Sequence, residues 1–133
     1  MSRELVERYL GAINAWNRGD LDAWLALAAD EWHTTATFPG IEPVYRGREG
    51  MIAIWEYLRA PWESAASIQI DVDRVEDLGD TVLGLTTLRA RAEDSGAETT
   101  LKVGYVLTDE NGLLRLTNYL SWDEALAAVG LAD

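Results

Sequence analysis

At 133 residues the chain has the length of one domain with a buried core, and a single domain over 1–133 is expected. It has no cysteine, which excludes disulfides, thiolate metal sites and a cysteine nucleophile, and suits a cytoplasmic protein. Eleven scattered basic residues against 23 acidic ones give a net charge of -12, which repels phosphate backbones and anionic lipid, so no nucleic acid and no membrane surface is expected as a partner.

The first third is predicted helical. Leu5, Val6, Tyr9, Leu10, Ile13 and Trp16 recur at helical spacing, and Gly19 followed by Asp20 supplies a left-handed stop and a cap for the next helix. That second helix carries Leu21, Trp24, Leu25 and Ala28. Trp32 to Phe38 reads as a strand, and Pro39, Gly40 and Pro43 as a loop. A third helix follows Gly47, with Met51, Ile52, Trp55 and Leu58 as its stripe, and ends before Pro61.

Beyond residue 67 the period changes from 3.6 to 2. Ile68, Ile70 and Val72 alternate with polar residues. Turns at 78–80, 94–96 and 109–112 separate strands running 81–92, 98–108 and 113–121. Asp123 is expected to cap a last short helix, Glu124 to Val129, closed by Gly130. Helices followed by an antiparallel meander predict an α+β fold: a cone-shaped barrel, with three N-terminal helices packed on a curved, mostly antiparallel sheet and a short C-terminal helix. The open mouth of such a cone is a place for a ligand.

Asn14 with Gly19-Asp20-Leu21-Asp22, Tyr45-Arg46-Gly47-Arg48-Glu49-Gly50 with Trp55, the hairpin into Leu113 to Tyr119, and Glu124-Ala125-Leu126 with Gly130-Leu131 together resemble a SnoaL-like protein of the nuclear transport factor 2-like superfamily. The resemblance covers nearly the whole chain and implies the same cone. It does not imply one reaction, because that superfamily includes polyketide cyclases, ketosteroid isomerases, dehydratases and epoxide hydrolases. Against the ketosteroid isomerase pattern, its tyrosine matches Tyr9. Its base falls at Ala36 or Phe38 and its protonated Asp near Gly104, none of which can serve. The strand 81–92 lacks the acid that a limonene epoxide hydrolase-like site needs. Tyr105 and Ser121-Trp122 stand where many SnoaL-like relatives have His and Asp-Arg.

The candidate site is therefore built for a small hydrophobic, ring-containing ligand. Trp16, Trp32 and Trp55, of six tryptophans, are expected as aromatic walls, with Tyr9 and Phe38 beside them. Leu116, Asn118 and Leu120 share one face of the last strand with Leu114, and the resemblance turns that face to the cavity. Asn118, one amide among leucines, needs a partner: a ligand carbonyl or hydroxyl, a water or a backbone group. Leu85, Thr87 and Arg89 are expected on the concave face of their strand, where Arg89 would meet a ligand anion near the mouth or else bridge acids such as Glu93 and Glu98. The lone His33 is expected to point away from the pocket. No metal and no cofactor is expected, since one histidine and no spaced acid cluster are present. Catalysis, if any, would use Tyr9 or Asn118 to polarise a carbonyl and Arg89 to steady an anion, with no base identified. Alternation buries Leu101, Val103, Tyr105 and Leu107, whereas the resemblance turns Gly104 to the cavity. Both hold if the outer face is also covered, so a homodimer with Tyr105 near the interface is expected. The competing reading is a non-catalytic dimeric module whose cone is filled by its own side chains, favoured if no cavity exceeds about 300 Å³.

Overall fold

The computed structural model describes residues 2–35, 39–62, 67–91 and 96–131. The described elements run α1 (Ser2–Arg18), α2 (Leu21–Leu27), β1 (Glu31–Thr34), β2 (Val44–Arg46), α3 (Gly47–Arg59), β3 (Ile68–Asp77), β4 (Thr81–Arg91), β5 (Glu98–Glu110), β6 (Leu113–Tyr119) and α4 (Trp122–Ala128). The six strands form one open sheet in the order β2-β1-β6-β5-β4-β3, antiparallel except where β1 runs beside β6. Two helices precede the first strand; the third follows the β1–β2 pair. The strand expected from Trp32 to Phe38 is described over Glu31–Thr34, and Val44–Arg46, assigned to no element from the sequence, pairs back on it. Residues 36–38 lie outside the described part.

Local chemistry sets the boundaries. Gly19 takes φ 69°, and the Asp20 carboxylate accepts from the Ala23 N–H at 3.0 Å to start α2. The end of α2 has no basic residue of its own. Arg8 of α1 reaches across instead and donates to the carbonyls of Leu27 and Ala28, which would otherwise lack partners. The β5–β6 hairpin turns on Asn111-Gly112, both at positive φ, the geometry a tight two-residue turn demands. The cap of α4 differs from expectation: Ser121, not Asp123, accepts from the Glu124 N–H.

Helix α1 covers the concave face of the sheet, and Asn17 fastens its end to the edge strand. Its side-chain amide donates to the Ile70 carbonyl at 2.9 Å and accepts from the Ile70 N–H at 2.7 Å, as a neighbouring strand would. Partway along β3 the register against β4 slips between Val72 and Arg74, leaving Asp73 as an extra residue. Such a bulge bends the strand, and it sets both Val72 and Val75 opposite concave-face residues of β4.

The sheet is apolar on both faces, and each has its own cover. The main core joins the concave face to α1, α2 and α3. A second cluster, Leu83, Leu85, Val106 and Ala125 with Tyr119, Trp122 and Leu126, lies under α4 on the outer face. Gly104 is there because a Cβ would overlap that of Ala125. This corrects one expectation: Gly104 faces α4, not the cavity. The apolar strip of the outer face lies under the chain's own last helix. The rest of that face is polar, with Arg89 on Asp71 and Thr87 between Asp73 and Lys102.

Candidate functional site

The concave core is an aromatic chain. Tyr9 lies 6.4 Å from Tyr105, Tyr105 6.1 Å from Trp32, and Trp32 6.4 Å from Trp24, centroid to centroid. Trp24 and Trp16 both meet Trp55 at about 5 Å in tilted or edge-on contacts. The Arg59 guanidinium sits over the Trp16 and Trp55 rings at 4.7 and 4.6 Å and donates to the Trp16 carbonyl at the end of α1. Burial lowers the Arg59 pKa.

Two cavities adjoin this chain, and Trp16, Trp32, Ile70 and Tyr105 border both. The outer one has a volume of about 220 Å³. Ile54 and Leu58 of α3 lie on one side of it and Val103, Leu88 and Leu101 of the sheet on another; Asn118 and Leu120 come from β6, with Ile41 and Trp62 in the flanking loops. The inner one, about 50 Å³, lies between α1, α2 and the sheet and is lined by Tyr9, Ala12, Ile13, Trp24, Leu107 and Leu116, among others. The described lining of both is apolar or aromatic except for Asn118, the two tyrosine hydroxyls and the indole N–H groups.

Asn118 has a specific partner. Its Oδ1 accepts from Trp32 Nε1 at 2.8 Å, in a buried contact. An indole N–H only donates, so the amide oxygen must face it and the Asn118 N–H donors are left for other partners. Among the described residues two buried side-chain donors have no hydrogen-bond partner, the Tyr9 hydroxyl and Trp16 Nε1, on residues each 4% exposed. Gly84 makes room for the first: a Cβ there would overlap the Tyr9 hydroxyl. Burial, reinforced by the neighbouring Tyr105, raises the Tyr9 pKa far above that of a free phenol, and burial does the same at Tyr105. Both phenols stay protonated in the folded protein.

The structure brings together Tyr9, Trp16, Trp32, Leu116, Asn118 and Leu120 of the expected site around the two cavities. Trp55 is buried against Trp16 and Trp24 and supports the wall without lining either cavity. Phe38 lies outside the described residues. Leu85, Thr87 and Arg89 are corrected: they stand on the outer face. Pairing decides this, because Gly84 lies opposite Tyr105 and Thr86 opposite Val103, which leaves the odd-numbered residues of β4 on the other side. Leu85 is then under α4, and Arg89 pairs with Asp71 at 2.7 Å, away from the mouth. Tyr105 is corrected the other way, since it borders both cavities and so stands on the concave face, not the outer one. Its alternation with Val103 and Leu107 was the signal. Ile54, Leu88, Leu101 and Trp62 were missed as lining residues. His33 binds Glu31, which also holds Arg46 and Arg115, in a cluster on the opposite face of β1 from Trp32. The His33 hydrogen bond, ahead of those from Arg115 and Arg46, holds the Glu31 carboxyl below the usual carboxylate range against a smaller opposing effect of burial.

The open, mostly antiparallel sheet with its covering helices is that of the nuclear transport factor 2-like and ketosteroid isomerase-like folds. A protein from Catenulispora acidiphila described as having the ketosteroid isomerase-like fold, in complex with trimethylamine, superimposes with a TM-score of 0.68 at 20% identity over 94% of this chain and 93% of that one. An NTF2-like protein of unknown function from Burkholderia pseudomallei gives 0.72 at 23% identity, over 95% and 97%. TerC, co-crystallised with polyporic acid, gives 0.72 at 17% identity over 96% of each chain. No curated protein matches the chain significantly. Residues 6–116 match the SnoaL-like domain, and the chain belongs to that family.

Proposed function

We propose that the protein binds a small, mainly apolar, ring-containing molecule in the outer cavity, against the Trp16–Trp32–Tyr105 wall. The observation that carries this reading is the cavity itself: about 220 Å³ of space beside buried aromatic rings. An apolar cavity of about 150 Å³ stays dry and takes benzene, so this one suits a guest of one or two small rings. Asn118 is the polar group positioned to orient the guest, through the N–H donors that Trp32 leaves to it. Cyclase-, isomerase- or lyase-type chemistry belongs to the same proposal only as far as Tyr9 or Asn118 polarising a carbonyl. The described lining offers donors and aromatic surface, and the reading is recognition first. The co-crystallised polyporic acid of TerC supports small-molecule binding in this fold.

A second reading has its own support. Four tryptophans and two tyrosines fill much of the cone, and the outer cavity is smaller than the roughly 300 Å³ at which drug-sized pockets begin. On that reading the chain is a non-catalytic structural module, a homodimer among its forms. Titration with indane, followed by tryptophan fluorescence, separates the two. The binding reading expects a saturable change that Leu88→Phe, which fills the cavity from β4, abolishes while the circular dichroism stays unchanged. A strictly linear response in the parent protein contradicts it.

A further inference from the structure

We infer that the guest is longer than the cavity: a ring carrying an alkyl or isoprenyl substituent, whose chain leaves the outer cavity along an apolar track to the protein surface. This rests on the pocket reading above and adds what the ring carries.

The lining of the outer cavity divides by exposure. Trp16, Trp32, Ile54, Val103 and Tyr105 are buried, whereas Leu58, Trp62 and Leu88 are half-buried and Leu101 is 39% exposed. Two runs of side chains lead from the first group to the second. On β5, Tyr105, Val103 and Leu101 follow at every second residue and all border the cavity. At a strand rise of about 3.3 Å per residue, Leu101 lies about 13 Å from Tyr105 along the strand. On α3, Ile54 and Leu58 stand one turn apart, and Trp62 follows four residues on, in a turn held by its own N–H donating to the Arg59 carbonyl. Leu88 pairs with Leu101 across β4 and β5 and widens the track.

The same two strands supply the contrast. On their outer face the side chains turn polar where burial ends: beyond Leu83 and Leu85, under α4, come Thr87 and Arg89, with Lys102 paired to Thr87. On the concave face one register step along, Leu88 and Leu101 stay apolar as they become exposed. Scattered exposed leucines need no explanation, but a contiguous apolar set running out of a cavity has the form of a binding groove. No Asp, Glu, His, Lys or Arg is among the described lining residues, so a charged substituent would find no counter-ion along this path. A compact ring would fill the buried part and leave Leu58, Trp62, Leu88 and Leu101 in water. An apolar chain covers them.

The test titrates toluene, propylbenzene and pentylbenzene calorimetrically into the full chain, and into Leu101→Gln and Trp62→Gln, which alter the exposed end of each run. A methylene drawn about halfway out of water contributes about twofold in affinity, so pentylbenzene should bind roughly tenfold more tightly than toluene, with propylbenzene between them. At least one variant should bring the pentylbenzene-to-toluene ratio to about threefold or less while toluene affinity holds. Leu101 is exposed and outside the packed core, so Leu101→Gln keeps the test valid should Trp62→Gln fail to fold. A ratio below about threefold in the parent, as when a second copy or a partner protein covers the track instead, overturns the inference and leaves the pocket standing. So does a ratio that neither variant moves, because the chain then lies elsewhere. Binding by none of the three, toluene included, rejects the pocket reading itself.

Discussion

Asn118 on β6 and Trp32 on β1 are joined by a buried hydrogen bond of 2.8 Å between the amide oxygen and the indole N–H. The two strands run parallel here, with Trp32 paired to Leu116 and Thr34 to Asn118. Through this bond one polar side chain fixes the angle of an aromatic wall residue. Asn118→Leu should cost about 1–3 kcal/mol in urea unfolding, because the Trp32 N–H then loses its partner. Adding Trp32→Phe should recover part of that loss, since no orphaned donor remains. A double variant whose cost equals the sum of the two singles would show that the bond couples nothing.

The seat of Tyr9 on Gly84 should be equally sensitive. Gly84→Ala places a methyl group into the phenol, and overpacking of this kind typically costs about 1–3 kcal/mol. The outer-face counterpart has a built-in control. Gly104→Ala should loosen α4, and Ala125→Gly in the same chain should restore much of the melting temperature by removing the methyl group it meets. Failure of Ala125→Gly to rescue would mean that the helix sits elsewhere.

Asn17 closes the edge of β3 with two hydrogen bonds to Ile70. Asn17→Ala should destabilise by about 1–3 kcal/mol and speed exchange of the Ile70 amide proton well before that of β4 or β5. Uniform exchange across the sheet would contradict a local clasp.

Glu31 gives the acid side of the stability profile a named contributor. Its carboxyl is held below the ordinary range, first by His33 and then by Arg115 and Arg46. A depressed folded-state pKa means that the stabilisation is present above the unfolded value of about 4.3 and is lost as pH falls through the folded value. Urea midpoints for Glu31→Gln should therefore fall less between about pH 5 and about pH 3 than those of the parent. Parallel profiles would remove Glu31 from the account.

How much of this was legible in the sequence depends on which period carried the signal. The helix stripes and the Asp20 cap came directly from residue spacing. On β6 one face alternates cleanly, so Leu116, Asn118 and Leu120 were placed together. On β4 both faces are apolar near the middle, since Val82, Gly84 and Thr86 alternate with Leu83 and Leu85, and every one of them is buried. Period alone cannot choose a side there. The choice is made by the register with Tyr105 and by α4, a tertiary contact absent from the local pattern. This is why Leu85, Thr87 and Arg89 went to the wrong face. Strand β2 was missed because three residues beside Pro43 carry no period. The unpaired Tyr9 and Trp16 donors could not be seen at all: whether a buried polar atom has a partner is a property of packing, not of spacing.

The claim on which the rest stands is that the outer cavity admits a ring-sized guest. It is tested most directly by a crystal structure of the protein soaked with iodobenzene, whose iodine marks its own position by anomalous scattering. The account expects an anomalous peak inside the space bounded by Trp16, Trp32 and Tyr105, with those rings still in place. A peak confined to the surface, or no peak at saturating iodobenzene, would contradict it.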